Sequence, residues 1–125
     1  MFIEMLKAKI HRATVTGADL DYVGSLTLDQ NLMDAAGLKE YEKIQILDID
    51  NGNRIETYII RGVRGSGDVC INGAAAHQIF KGDLVIIVSY CQLSDKESIY
   101  HHPKIVHVDS DNQILTVSKE EHILV

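Results

Sequence analysis

Proline occurs once in this chain and cysteine twice, and no apolar run approaches the length that spans a membrane. With one proline and no low-complexity tract, nothing in the composition marks a disordered or linker-like segment. Cys70 and Cys91 stand alone, in no CxxC pair, each inside an apolar stretch. That pattern supplies no disulfide framework and no thiolate metal set, and it predicts two buried free thiols in a reducing compartment. Basic residues are short as well: 12 Lys and Arg face 18 Asp and Glu, a formal net charge of -6. A nucleic-acid backbone is therefore a poor partner, whereas a small anion needs only one or two local cations. The opening Met1-Phe2-Ile3-Glu4-Met5 has an early acid and no cationic leader segment, so the expectation is a soluble cytoplasmic protein with no membrane partner.

What is present is ordinary globular material, 46% hydrophobic and 24% charged over 125 residues. That length predicts one domain, 1–125, burying about two thirds of its unfolded surface. Phe2 to Thr16 predicts two short strands or one bent strand, with His11-Arg12 at the bend and Gly17 at the end. Ala18 to Val23 reads as a connector, and a strand begins at Ser25 with Leu26 and Leu28 alternating around Thr27. Asp29 is placed to cap a short helix that Gly37 terminates. Asn51-Gly52 between two apolar runs predicts a hairpin. Gly62, Gly65 and Gly67 precede no helix, so they form no dinucleotide fingerprint and read as a plain flexible loop. Val69 to Ile71 is a strand, and Asn72 to Ala76 a small-residue turn entering one helical turn. Leu84 to Val88 is a strand buried on both faces. A helical turn at Asp95–Ser98, a last hairpin over residues 105–117 and a frayed tail from Glu120 complete a mainly-β domain, most simply a small barrel.

Several polar residues stand out against this background. In Gly24-Ser25, a serine hydroxyl follows a glycine whose carbonyl can be approached closely, the arrangement a chain needs to cut itself. Gly65-Ser66 is the same dipeptide, and either could be a simple turn. Arg54 follows the Asn-Gly turn and can hold a carboxylate through paired hydrogen bonds. Tyr58, four residues on, lies on the same strand face, about 13 Å away along an extended strand, and its phenol is a weak acid able to protonate a basic carbon. Thr57 points to the opposite face. Lys9 and His11 share the end of the first strand, as a solvated edge or as part of a site. His101, His102 and His107 lack the spacing of a metal set, so no metal is expected.

Together these motifs resemble the pyruvoyl-dependent aspartate decarboxylase family. The matching residues are Met5-Leu6-x-x-Lys9-Ile10-His11-Arg12-Ala13-x-Val15-Thr16 and Ala18-Asp19-Leu20-x-Tyr22-x-Gly24-Ser25. They continue with Asn51-Gly52-x-Arg54-x-x-Thr57-Tyr58, Asn72-Gly73-Ala74-Ala75-Ala76-His77 and Gly82-Asp83-x-Val85-Ile86-Ile87, in family order over residues 5–90. Each motif is weak alone; the ordered set is specific.

The resemblance implies a six-stranded double-psi β-barrel with short helices, assembled as a homotetramer with active sites between subunits. It implies a proenzyme cut between Gly24 and Ser25 into chains 1–24 and 25–125, with Ser25 converted to a covalent pyruvoyl cofactor. That group would form a Schiff base with L-aspartate and release CO₂ and β-alanine, the pantothenate precursor. Tyr58 would donate the proton and Arg54 bind a substrate carboxylate. Thr57, Lys9, His11, Asn72, Gly73, Ala74, Ala75 and Ala76 would line the pocket, and Thr57 and Tyr22 would also serve processing. A non-enzymatic binding module on the same fold, with Gly24-Ser25 as a turn, is the competing expectation; a metal enzyme using the three histidines is a third.

Overall fold

Ile44, Ile46 and Asp48 are buried along one strand while Lys43, Gln45 and Leu47 are not, the two-residue period of a half-buried strand. The same rule recurs through a computed structural model that describes residues 1–21 and 24–120. The strands are β1 (Phe2–Thr14), β2 (Gly17–Asp19), β3 (Ser25–Asp29), β4 (Lys43–Asp48), β5 (Arg54–Gly62), β6 (Val69–Asn72), β7 (Leu84–Ser94), β8 (Lys104–Val108) and β9 (Ile114–Ser118). Helix α1 spans Gln30–Ala36, α2 spans Asp95–Ser98, and a 3-10 turn covers Gly73–His77. The mainly-β expectation holds. Among the described residues nine strands run in the order β2-β6-β3-β5-β4-β7-β1-β8-β9, an open order, where the expectation is a six-stranded barrel.

β5 joins the two halves of this order. Arg54–Tyr58 pair antiparallel with β4 on one edge, where Ile59 also bonds the Tyr41 and Glu42 backbone, and Ile59–Gly62 pair parallel with β3 on the other, so the two ladders meet at Tyr58–Ile59. Ile10, Leu26, Leu28, Ile46, Ile59, Ile71, Val85 and Ile87 meet in one core beneath it.

β1 is the bent single strand. Its pairing with β7 shifts register between Leu6 and Ala8 and again between Ile10 and Ala13, where Arg12 has φ 63°. Such bulges add local twist. β7 outruns the expected Leu84–Val88 and reaches Ser94, because β1 pairs with it all the way to Phe2. The supposed connector also contributes β2, which pairs in parallel with β6. Cys70 and Cys91 are free but half-buried, not buried. Cys70 alternates with the fully buried Val69 and Ile71 and so faces away from the core. Among the described residues, no helix is long and apolar enough to cross a membrane.

Gly37 ends α1 with φ 70°, as its position predicts, and the β4–β5 hairpin closes through Asp48 N–H to the Asn53 carbonyl, with Gly52 at φ 77°. The glycine loop departs from expectation: it is tied to the buried carboxylate of Asp29. Asp29 Oδ1 accepts from Asn31 N (2.8 Å), the helix cap, and also from Gly65 N (2.9 Å), while Oδ2 accepts from Gly67 N (2.8 Å). Gly65 and Gly67 take φ 81° and 73° to present those amides, and a Cβ on Gly67 would sit 2.9 Å from the Asp111 carbonyl. Asn112, in the β8–β9 turn, clasps the same region by accepting from Thr14 N and donating to the Thr14 and Gly67 carbonyls.

Asp29→Ala should therefore lower unfolding stability by about 3 kcal/mol, the cost of stranding buried amides together with a lost helix cap. Asp29→Asn should lose less; urea denaturation of the two variants against the parent checks the order.

Candidate active site

Ser25 opens β3 and sits opposite Asn72, the last residue of β6. Both side chains are buried, Ser25 at 1% exposure. Since Leu26 and Leu28 fill the core, alternation turns Ser25 and Thr27 to the other face. Asn72 spans that pair: its amide nitrogen donates to Ser25 Oγ at 3.1 Å and to Thr27 Oγ1 at 2.9 Å. Its carbonyl oxygen accepts from Cys70 Sγ at 3.6 Å. Burial, with the carboxylates of Asp68 and Asp19 adding to it, pushes the Cys70 thiol up, so it stays protonated and can donate. Three neighbours thus fix which way the Asn72 amide points.

Ser25 carries the unusual backbone, with φ 137°. Gly24 has no left-handed φ, and a Cβ there would meet nothing within 4 Å, so its surroundings stay open. Ser25 carries the positive φ at the first position of the β3–β6 ladder, where it pairs with Asn72.

Leu26 pairs with Ile59 across the parallel β3–β5 ladder, so Tyr58 stands one step before that pair, as Ser25 does. In β5, Arg54, Glu56 and Tyr58 are exposed while Ile55 and Thr57 are half-buried and Ile59 is fully buried. Arg54 and Tyr58 therefore share the outer face, and by register it is the face of Ser25 and Asn72. Tyr58 keeps 36% of its surface exposed. The 3-10 turn follows Asn72 directly; Gly73 (φ 69°) and Ala76 are buried, Ala75 is half-buried and Ala74 is exposed. A hydroxyl held by an amide, a phenol and a guanidinium share one sheet face, groups able to act as nucleophile, proton donor and anion clamp.

A sequence model of the family described as aspartate decarboxylase matches residues 1–115. The chain belongs to the aspartate decarboxylase family. Proteins named Aspartate 1-decarboxylase are similar to it over nearly full length. That of Caldicellulosiruptor saccharolyticus is 58% identical over 123 residues, covering 98% of this chain and 96% of the relative. That of Corynebacterium efficiens is 58% identical over 120 residues, covering 96% and 88%. That of Clostridium botulinum is 56% identical over 121 residues, covering 97% and 95%. The expected family and its enzymatic nature hold.

Within this family member, the remaining expected residues are not all gathered together. Lys9 and His11 lie on β1, which the order β3-β5-β4-β7-β1 separates from Ser25 by three strands. Lys9 pairs with Val88 and Ile105; His11 pairs with His107, their rings T-shaped at 5.4 Å between centroids. His101 Nε2 lies 2.6 Å from the Leu6 carbonyl oxygen, apart from that pair. Thr57 faces inward, paired with the core residue Ile44, as strand alternation predicts. Tyr22 lies outside the described residues, as does the tail beyond Glu120. Gly65-Ser66 belongs to the loop around Asp29 and not to this site. Thr27 and Cys70 were missed by sequence reasoning. The signal was available, since each stands two residues from a named site residue in the same strand.

Asn72→Ala strands Ser25 Oγ and Thr27 Oγ1 without removing a backbone bond of the β3–β6 ladder. Stability should fall by about 1–3 kcal/mol, and Thr27→Val, which removes one acceptor, should cost less; thermal melts of both variants check this.

Proposed function

We propose that this chain is a self-processing L-aspartate decarboxylase that makes β-alanine for pantothenate synthesis, in the cytoplasm, as a homotetramer of double-psi β-barrels. The observation that carries it is the Ser25 hydroxyl held by Asn72 at the head of β3, in a chain of the aspartate decarboxylase family.

In processing, Ser25 Oγ attacks the Gly24 carbonyl carbon and the Gly24–Ser25 peptide bond gives way to an ester, freeing the Ser25 nitrogen. Loss of the Ser25 Cα proton then expels the Gly24 carboxylate by β-elimination. Water replaces the nitrogen, ammonia departs, and chain 25–125 starts with a pyruvoyl group. Ser25 fits this fate: its oxygen is positioned by Asn72, its backbone is already bent away from extended geometry, and the adjoining Gly73–Ala76 turn places small residues beside it. The pyruvoyl ketone supplies a carbonyl for the substrate amine and a sink for the electron pair left when CO₂ departs.

The chain's own residues do the rest. Arg54, exposed on the Ser25 face, holds a substrate carboxylate in a bidentate grip. Tyr58, one register step from the β3 pairing, delivers the proton to the carbon that lost CO₂. Lys9 and His11 complete the pocket of a neighbouring subunit, in keeping with the absence of any ladder between β1 and β3 among the described residues. Thr57 steadies the oxyanion during processing, served by a strand twist or bulge or by division between subunits, since within one chain alternation turns it from the Arg54 and Tyr58 face.

Intact-mass measurement after incubation should give chains 1–24 and 25–125, the latter short of one ammonia relative to a serine start. Ser25→Ala should stay a single chain without activity; a parent chain that also stays whole would sink the proposal.

Tyr58→Phe should process normally while kcat falls by roughly 10²–10⁴-fold. Arg54→Ala should also process and act mainly through a higher KM for aspartate. Failed cleavage in either variant would move that residue from turnover to processing.

A further inference from the structure

At the turn end of the β4–β5 hairpin, three carboxylates converge that the decarboxylation chemistry does not use. Asp48 ends β4, Asp50 lies in the turn and Asp83 immediately precedes β7; one oxygen from each falls within 4.8 Å of the others. Each carboxylate is anchored through backbone amides. Asp48 Oδ1 accepts from Asp50 N (2.9 Å) and Asn51 N (3.2 Å), Asp50 Oδ2 accepts from Leu84 N (2.9 Å), and Asp83 Oδ2 accepts from Phe80 N (3.1 Å). The other Asp48 oxygen is the exceptional atom. Asp48 is 3% exposed, and its Oδ2 is buried with no hydrogen-bond donor. Among the described residues, none of the ion pairs reaches any of the three aspartates.

A buried carboxylate oxygen facing like charge requires something positive between them. Only a proton or a cation is small enough. Three carboxylate oxygens within 4.8 Å of one another, one of them buried and undonated, leave a gap of cation size. The donors are all hard oxygens, with no thiolate or imidazole, the preference of Ca²⁺, Mg²⁺ and Mn²⁺ over zinc or copper. A Ca–O length of about 2.4 Å keeps any two ligands of one ion within about 4.8 Å, a span the three oxygens satisfy. The exposed Asp50 leaves the outer side open to the waters that complete such a shell.

We propose that Asp48, Asp50 and Asp83 form a binding site for a hard divalent cation of the Ca²⁺ class, tying the β4–β5 turn to the start of β7. The ion anchors the hairpin whose second arm begins at Arg54, paired with Leu47 beside Asp48. Its role is structural, distinct from the chemistry at Ser25.

The test is calorimetric titration of the chelator-treated full chain with Ca²⁺, and with Mg²⁺ and Mn²⁺ in parallel, alongside thermal melts. One equivalent should bind, and Tm should climb with the logarithm of cation concentration. Both effects should vanish in Asp48→Asn, whose amide can donate to Asp83 in the ion's place, and weaken in Asp50→Asn, an exposed position that spares the fold. Absence of binding by all three ions, or binding unchanged in both variants, overturns the site. A shared proton would then be the bridge, with its own signature. Because Asp48 binds that proton more tightly when folded, its contribution is complete below the unfolded value near 3.8 and is lost as pH rises through about 6. The stability difference between parent and Asp48→Asn would fall across that window and ignore chelator.

Discussion

The meeting of two ladders on β5 is the constraint on which the molecule turns. A strand has two hydrogen-bonding edges, and β5 gives one to β4 along its first half and the other to β3 along its second, the two overlapping at Ile59. That division couples the sheet region containing β7, β1 and β8 to the region containing β3, β6 and β2. It also sets the site. Arg54 and Tyr58 belong to the half paired with β4, yet Tyr58 sits where the ladders meet, next to the residue that pairs with Leu26. Without that meeting, the guanidinium and the phenol would have no fixed relation to Ser25. Core residues on both sides, Ile46 from one and Leu26 from the other, pack against Ile59's layer and hold the crossing in place.

Features governed by local sequence were legible. The α1 cap and its glycine terminator, the turn at Gly52, the bend at Arg12 and the inward aim of Thr57 all follow from neighbours a few residues away. So did the family, because ordered motifs survive where any single one is ambiguous. The features that escaped depend on distant partners. The Gly62–Gly67 loop has no local reason for its shape; Asp29, 36 and 38 residues from Gly65 and Gly67, imposes it. β2 is only three residues long and exists because β6 offers it an edge. β7 extends past its apolar run because β1 continues beside it. Gly24 attracted attention as the glycine of the pair, but the unusual conformation belongs to Ser25, a fact no residue preference would suggest.

Part of the candidate site was readable in the same way. Asn72 was named by motif, and its two-pronged donation to Ser25 and Thr27 depends on antiparallel register, which the sequence does not encode locally. Thr27 and Cys70 are ordinary strand residues until that register places them around the amide. Lys9 and His11 show the reverse case. Their motif groups them with the others, while the strand order sets them apart in one chain, and the proposed tetramer is what reconciles the two.

The φ of 137° at Ser25 gives the proposed processing a direction. Holding a residue with a side chain in that region costs about 1–3 kcal/mol, sustained by the ladder and by Asn72. When the nitrogen departs as ammonia, the torsion about it ceases to exist, and the cost disappears with it. The new chain end also has no amine with which to rejoin residue 24. Maturation would then work as a ratchet: the precursor carries the strain, the product cannot, and the tooth of the ratchet would be the same residue proposed to become the cofactor.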